Sequence, residues 1–260
     1  MKQFMGLVQH EFNMSIRRKS LWIGNGLVAG LFIISLLIQG PDEGRNYFAG
    51  NSSTWQEAGD MVYMFNMLIP LVAGILASDR LKRDYQIGIR ELQISSSIKD
   101  GTYLAAKYTG VLLSTFLPLV ISVWGLAVYG MICGLPPLDL LLSLMAGFAL
   151  ISIPTFLFVV AFSLVCPLVI PVRIYQILFT GYWFWGNFLS DKVFPTISGT
   201  LLNASGIYAL QGFFVGTLSR TGKPLHTPVE AVMNIVVLLV CAAFAMTAGR
   251  YYLSRKSGLA

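Results

Sequence analysis

Ser78 to Lys107 reads SDRLKRDYQIGIRELQISSSIKDGTYLAAK and holds ten of the thirty charged residues (18 basic, 12 acidic) of this 260-residue chain. Uninterrupted apolar sequence of membrane-spanning length lies on both sides of it. The chain is 55% hydrophobic and only 12% charged, with a mean hydropathy of +0.69. An ordinary soluble domain is roughly 25% charged, so this is the composition of a polytopic membrane protein. A bilayer core needs about 20 apolar residues per helix. Six runs free of Asp, Glu, Lys, Arg and His approach or exceed that length: Leu21 to Ile38, Met61 to Ala77, Tyr108 to Leu135, Leu140 to Val165, Ile174 to Leu189 and Ala231 to Ala248. Strands would alternate apolar and polar residues; these runs do not. The expected fold is all-α, with six transmembrane helices in a single domain over 1–260.

Orientation follows from the Lys and Arg residues flanking the runs. With the N-terminus inside, fourteen fall on the cytoplasmic side and four (Arg45, Lys192, Arg220 and Lys223) outside. Acidic residues divide the other way, five inside and seven outside, which leaves +9 (14 − 5) within and −3 (4 − 7) without. Both termini are expected in the cytoplasm, in a prokaryotic inner membrane or a plasma membrane. The net charge of +6 is accounted for by basic residues at membrane edges, so nucleic acid is not an expected partner. Cys133, Cys166 and Cys241 lie in or beside apolar runs, where Cys acts as a small hydrophobe.

Residues 1–19 repeat apolar side chains at Phe4, Val8, Phe12 and Ile16, ending at Arg17-Arg18-Lys19. This is either an amphipathic helix lying in the inner interface or a simple topogenic leader. Gly26 and Gly30 form a small-xxx-small pair that permits close helix approach. Asn66 and Pro70 fall in the second run, Pro118 in the third and Pro154 in the fourth, and proline in a membrane helix often kinks it. Tyr182, Trp183, Phe184 and Trp185 are either an interfacial aromatic belt or, in part, the lining of a path for an amphipathic substrate. The stretch 190–230 is too long for a turn, yet Pro195, Gly199, Gly206, Gly212 and Gly216 cut its apolar runs below spanning length. It is expected to form one or two short outer helices, re-entrant or packed on the membrane surface.

Chemistry inside a membrane requires ionisable residues at depth, which are costly there and kept for function. The six runs contain none, which disfavours a proton-coupled carrier and an intramembrane enzyme. Gly216 to Pro224 resembles a phosphate loop only superficially, because its spacing is one residue too long and Pro224 stands where Ser or Thr is required. No catalytic, metal or cofactor residue is expected, and any energy must arrive through a partner. The sizeable inner surface for one is 78–107. There Ile87 to Ser95 reads as a short polar-apolar helix, Ser95-Ser96-Ser97 as a break, and Lys99-Asp100 as the start of the third span. By composition alone it could equally be a solvated basic loop.

The spacing in this loop resembles the signature of the type-2 ABC exporter permeases. Gly88, Glu91 and Leu92 match its first part, Lys107 falls at the distance of its closing lysine, and Asp84 stands where the family has an upstream acidic residue. Ile89, Ser97, Lys99-Asp100 and Ala106 depart from the usual Thr, Pro, Ser-Arg and Gly. The resemblance implies an N-terminal elbow helix with Glu11 and Arg17, a cytoplasmic coupling helix in 78–107, and re-entrant helices in 190–230. It also implies an ABC-type ATPase partner, which would hold ATP and Mg, seated on Asp84, Gly88, Arg90, Glu91, Leu92, Lys99 and Lys107. A second permease chain, the same or different, would pair through the first and fifth spans, with Gly26 and Gly30 as contacts. Asn66, Tyr182 and Trp185 are the candidate substrate path, for a lipid, peptide or drug-like molecule moved outward. The competing expectation is a non-transporting scaffold or channel-like protein that recruits a soluble partner through the same loop.

Overall fold

The computed structural model describes residues 2–38, 53–86, 88, 98–189, 195–214 and 226–257. The described residues are helical, joined by turns and short irregular segments. The elbow α1 (Lys2–Ile16) and α2 (Lys19–Ile38) are separated by a turn at Arg17 and Arg18. The Trp22 indole donates to the carbonyl of Ile16 at 2.8 Å and so covers one of the carbonyls that end α1.

Next comes a broken helix: α3 (Thr54–Asn66), α4 (Ile69–Ala77) and α5 (Arg80–Gln86). It starts with a capping box, the Ser53 hydroxyl accepting from the Gln56 backbone while the Gln56 side chain accepts from the Ser53 backbone. Its first break falls just before Pro70, whose missing N–H frees carbonyls in the preceding turn. The Trp183 indole takes the Met67 carbonyl at 2.8 Å. At the next break, the Gln176 amide donates to the Ile75 carbonyl and the Ser78 hydroxyl.

The long helix α6 (Asp100–Ile132) continues through Pro118. It ends in a turn through Cys133 to Pro136, with Gly134 at φ +111° where a side chain would be strained. α7 (Pro137–Gly147) then leads through a π-helical turn (Phe148–Ser152) into α8 (Ile153–Val165), so Pro154 sits at a fresh helix start. A short return through Cys166–Leu168 opens α9 (Val172–Asn187). α10 (Pro228–Ser257) closes the chain.

Among the described residues, four helical stretches are long and apolar enough to cross a membrane: Thr54–Asp84, Asp100–Ile132, Pro137–Leu168 and Pro228–Arg255. α2 and α9 occupy the other two expected runs and are shorter, α9 having 16 residues.

One expectation is corrected. The helices carry buried ionisable residues at their ends: Glu57 and Asp60 in α3, Arg80 and Asp84 in α5, and Lys107 in α6. An apolar run stops by definition at the first charge, but a helix continues as long as its neighbours can match that charge.

At the end of the bundle away from the elbow, 195–206 is irregular backbone, and side chains satisfy its polar groups. Tyr182 donates to the Leu202 carbonyl, Asn234 to those of Leu201 and Asn203, and Asn187 accepts from the Ala204 N–H. This is how non-helical backbone is tolerated beside lipid. The helical segment Ile207–Phe214 that follows buries Tyr208, Leu210, Gln211 and Phe214, in keeping with the expected short helices in 190–230. The Phe214 ring stacks on Trp55 at 4.6 Å and lies over Gly59, where a Cβ would come within 2.6 Å of it. Gly59→Ala should therefore destabilise the chain by about 1–3 kcal/mol through overpacking. Gly125→Ala, with open space at its Cβ, should be neutral or stabilising by roughly 0.5–1 kcal/mol. Thermal unfolding of both variants in detergent checks this.

Candidate functional site: a buried ion cluster at the base of the bundle

Three elements meet where the 78–107 segment leaves and rejoins the bundle. α1 packs along α6, close enough that a Cβ on Gly110 would stand 2.8 Å from the Glu11 Cβ and 3.0 Å from the Val8 carbonyl. The face of α1 buried by this approach carries Val8, Glu11 and Ser15, at i, i+3 and i+7. The apolar ladder of Phe4, Phe12 and Ile16 is only half-buried, and Met5 is exposed. The elbow is thus rotated towards its polar residues, because the neighbouring helices offer cations there.

Lys107, in the second turn of α6, donates from Nζ to Glu11 Oε2 at 3.1 Å and to Asp84 Oδ2 at 2.6 Å. The Tyr103 hydroxyl, one turn earlier, donates to the same Asp84 oxygen. Arg80 of α5 places Nη1 3.5 Å from Glu11 Oε1 and donates from Nη2 to the Ser15 hydroxyl. The side chains of Glu11, Arg80, Asp84 and Lys107 are all below 10% exposed. Two cations therefore face two carboxylates, and the cluster is formally neutral. Buried charge is tolerable only when paired and hydrogen-bonded in this way. A cavity of about 90 Å³ lies beside it, lined by Leu7, His10, Glu11, Met14, Asp84, Tyr103 and Lys107. Further out, Arg18 donates to both oxygens of Asp79 at 3.1 Å, a partly buried pair.

Of the residues expected at a docking site, Asp84 and Lys107 are brought together here, and Glu11 of the elbow joins them. Gly88 follows α5 in a turn at φ +74°, a conformation that favours glycine. Lys99 is the exposed N-cap of α6. Arg90, Glu91 and Leu92, with the expected helix from Ile87 to Ser95, lie outside the described residues. Arg17 is exposed beside His10, Asn13 and Met14, while its neighbour Arg18 makes the ion pair. Arg80, Tyr103 and Ser15 were not singled out from the sequence. Local spacing gave no signal for them, because the partners they meet lie far along the chain, 65 residues apart for Arg80 and Ser15 and 19 for Tyr103 and Asp84.

The other expected residues lie apart. Gly26 and Gly30 have open space at their Cβ positions, whereas Gly24 meets Val72 at 2.8 Å. Asn66 is fully buried and donates to Thr155 and to the Ser205 carbonyl. Tyr182 lines an apolar cavity of about 290 Å³ between α8 and α9, with Phe158, Phe162 and Phe179 among its neighbours. Trp185 is exposed, and Trp183 is wholly buried in the core. The structure does not gather Asn66, Tyr182 and Trp185 into one path. Among the described residues, no group of three or more His, Cys, Asp or Glu could hold a metal ion.

Apolar helices around a charged base define a multi-pass membrane protein that binds its own elbow by ion pairs. The profile of the ABC-2 family transporter proteins matches residues 5–189, well over half of the chain, and the chain belongs to that family. It is a membrane component of an ABC-2 type transporter. Permeases of this family lack an ATPase domain and in general pair with separate ATPase subunits. No curated protein matches the chain.

Lys107→Met leaves Glu11 and Asp84 buried without their shared cation and should cost about 3–5 kcal/mol of stability. Arg18→Ala removes a partly buried pair at the edge of the site and should cost less, about 1 kcal/mol. In a double-mutant cycle, Glu11→Gln with Lys107→Met should cost less than the sum of the two alone, because the residues share one interaction. Unfolding of the purified variants in mixed micelles measures all of these.

Proposed function

We propose that the chain is the permease subunit of an ATP-driven exporter. It has six spans and both termini in the cytoplasm, and it is driven by an ATPase seated on the 78–107 loop. The ion cluster carries this reading, because it ties both ends of the loop to the elbow. Asp84 lies in α5 near the start of the 78–107 segment, Lys107 lies in the second turn of α6 at its end, and their ion pair is shared with Glu11 of α1. A force on the loop is therefore delivered to three helices together.

The docking surface is assigned to Gly88, Arg90, Glu91, Leu92 and Lys99, with Glu11 and Arg17 of the elbow in support. ATP and Mg are held by the partner, and this chain contributes no catalytic residue. Closure of the ATPase subunits favours the outward-open permease by binding that state more tightly, since equal affinity for both states would shift nothing. A second permease chain, identical or different, packs against the first span at Gly26 and Gly30. Their open Cβ positions leave that face available. The substrate is hydrophobic or amphipathic and passes through a path bordered by the aromatic residues of the fifth span.

Co-purification with ATPase activity from native membranes should be abolished by Glu91→Arg, while the variant still folds and inserts. An unchanged complex would remove the loop from the docking surface, and a captured protein without ATPase activity would favour a scaffold. Gly26→Leu together with Gly30→Leu should weaken pairing of the chains in detergent, read as a shift from dimer to monomer by size-exclusion with light scattering.

A further inference from the structure

The helix α9 presents a face that the bundle leaves open. Arg173, Gln176, Ile177, Thr180 and Phe184 recur on it at helical spacing, and Gly181 beside them has open space where a Cβ would stand. The first four line a hollow of about 380 Å³. Ile177 is 73% exposed and Phe184 44% exposed, so the far part of the face is apolar. Gln176 is fixed by its bonds to Ile75 and Ser78, and the Thr180 hydroxyl donates to the Gln176 carbonyl at 2.8 Å. Among the described residues, the one charge in the hollow is the Arg173 guanidinium, and none of those lining it is acidic.

Depth matters as well. A helix of 16 residues is about 24 Å long, shorter than the roughly 30 Å of bilayer hydrocarbon. The start of α9 is at the same end of the bundle as the ion cluster, because Gln176 bonds Ser78, two residues before Arg80. In the permease reading that end faces the cytoplasm, which puts the Arg173 cation near the head groups, and a cation there beside an apolar strip is complementary to one kind of molecule.

We propose that this face binds an amphiphile with an anionic head, its phosphate, sulfate or carboxylate on Arg173 and its apolar chain running past Ile177 towards Phe184. The inference rests on the permease reading and names its substrate class: an anionic amphiphile taken up at the basic end of the bundle. The guanidinium offers a planar fork of donors that matches such heads. Thr180 and Gly181 leave room for the chain, and Phe184 lies eleven residues, about 16 Å, along the helix from Arg173. A trimethylammonium head is repelled at the same place, and an alcohol gains little from it.

The test uses the purified full-length chain in uncharged detergent and three fluorescent probes that share one tail: pyrene-dodecanoate, pyrene-dodecanol and pyrene-dodecyltrimethylammonium. The dodecanoate should bind about tenfold or more tightly than the alcohol, as expected for a hydrogen bond between charged groups. Arg173→Gln should abolish that preference, and Arg173→Lys should retain part of it. Thr180→Trp fills the hollow and should weaken binding of all three probes.

Competition by phosphatidylglycerol but not phosphatidylcholine would identify a bilayer lipid as the source of the head, and failure to compete would identify a free acid. Equal affinities for the three probes overturn the proposal, as does a preference that survives Arg173→Gln. Complete disulfide cross-linking of Ile177→Cys to a second copy, unaffected by dodecanoate, also overturns it by assigning the face to chain pairing. Binding to the chain alone is independent of ATPase capture, so failure here and failure of the permease reading give different results.

Discussion

Two carboxylates and two cations share a nearly dry site at the base of the bundle, and the arrangement of the surrounding helices follows from keeping them together. Lys107 bridges Glu11 and Asp84, while Arg80 faces Glu11 from the next helix. Removing water from four charges is costly, and only close pairing offsets it. The elbow therefore cannot drift along the surface as a loosely bound amphipathic helix could. It is drawn against α6 at Gly110, and its buried face is chosen by Glu11 and Ser15 more than by its apolar residues. Net stabilisation is not the main consequence of such a cluster. Its consequence is a unique register, since any sliding of α1 separates opposite charges in a low dielectric.

The breaks in the helices pose a different problem, which is solved with neutral groups. Breaks in α3 and α4 and the irregular stretch 195–206 leave backbone groups without helical partners. The side chains that take them up (Trp183, Gln176, Tyr182, Asn187 and Asn234) come from α9 and α10. Four of these five belong to α9, which is thus tied to the first broken helix and to the outer segment by one buried face. Its other face remains open, and that division makes α9 a candidate border of a path.

The neutral and charged groups also differ in how they can move. Hydrogen bonds from side chains to freed carbonyls are directional but individually modest, so they permit local repacking. A neutral ion cluster resists separation and transmits displacement as a unit. In a transporter driven from one side, the stiff element lies where the 78–107 segment meets the bundle, and the more adaptable ones lie at the helix breaks.

The all-helical membrane class was legible from composition alone, because an apolar run of spanning length has few other uses, and the basic residues flanking the runs supplied the expected orientation. The spacing from Gly88 to Lys107, with the upstream Asp84, was enough to suggest the family. Other features were out of reach of any local reading. That Lys107 is buried rather than solvated depends on Glu11, 96 residues away. That Trp183 is core while Trp185 is exposed depends on where α4 breaks. That Gly24 is a close contact and Gly26 is not depends on the position of Val72. The sequence by itself determined the membrane, the helices and the uneven distribution of charge, since each follows from hydropathy and helical spacing along the chain. Only the tertiary structure decided which charges are paired and which remain open, because burial and pairing depend on residues that lie far apart in the chain and meet only in the fold.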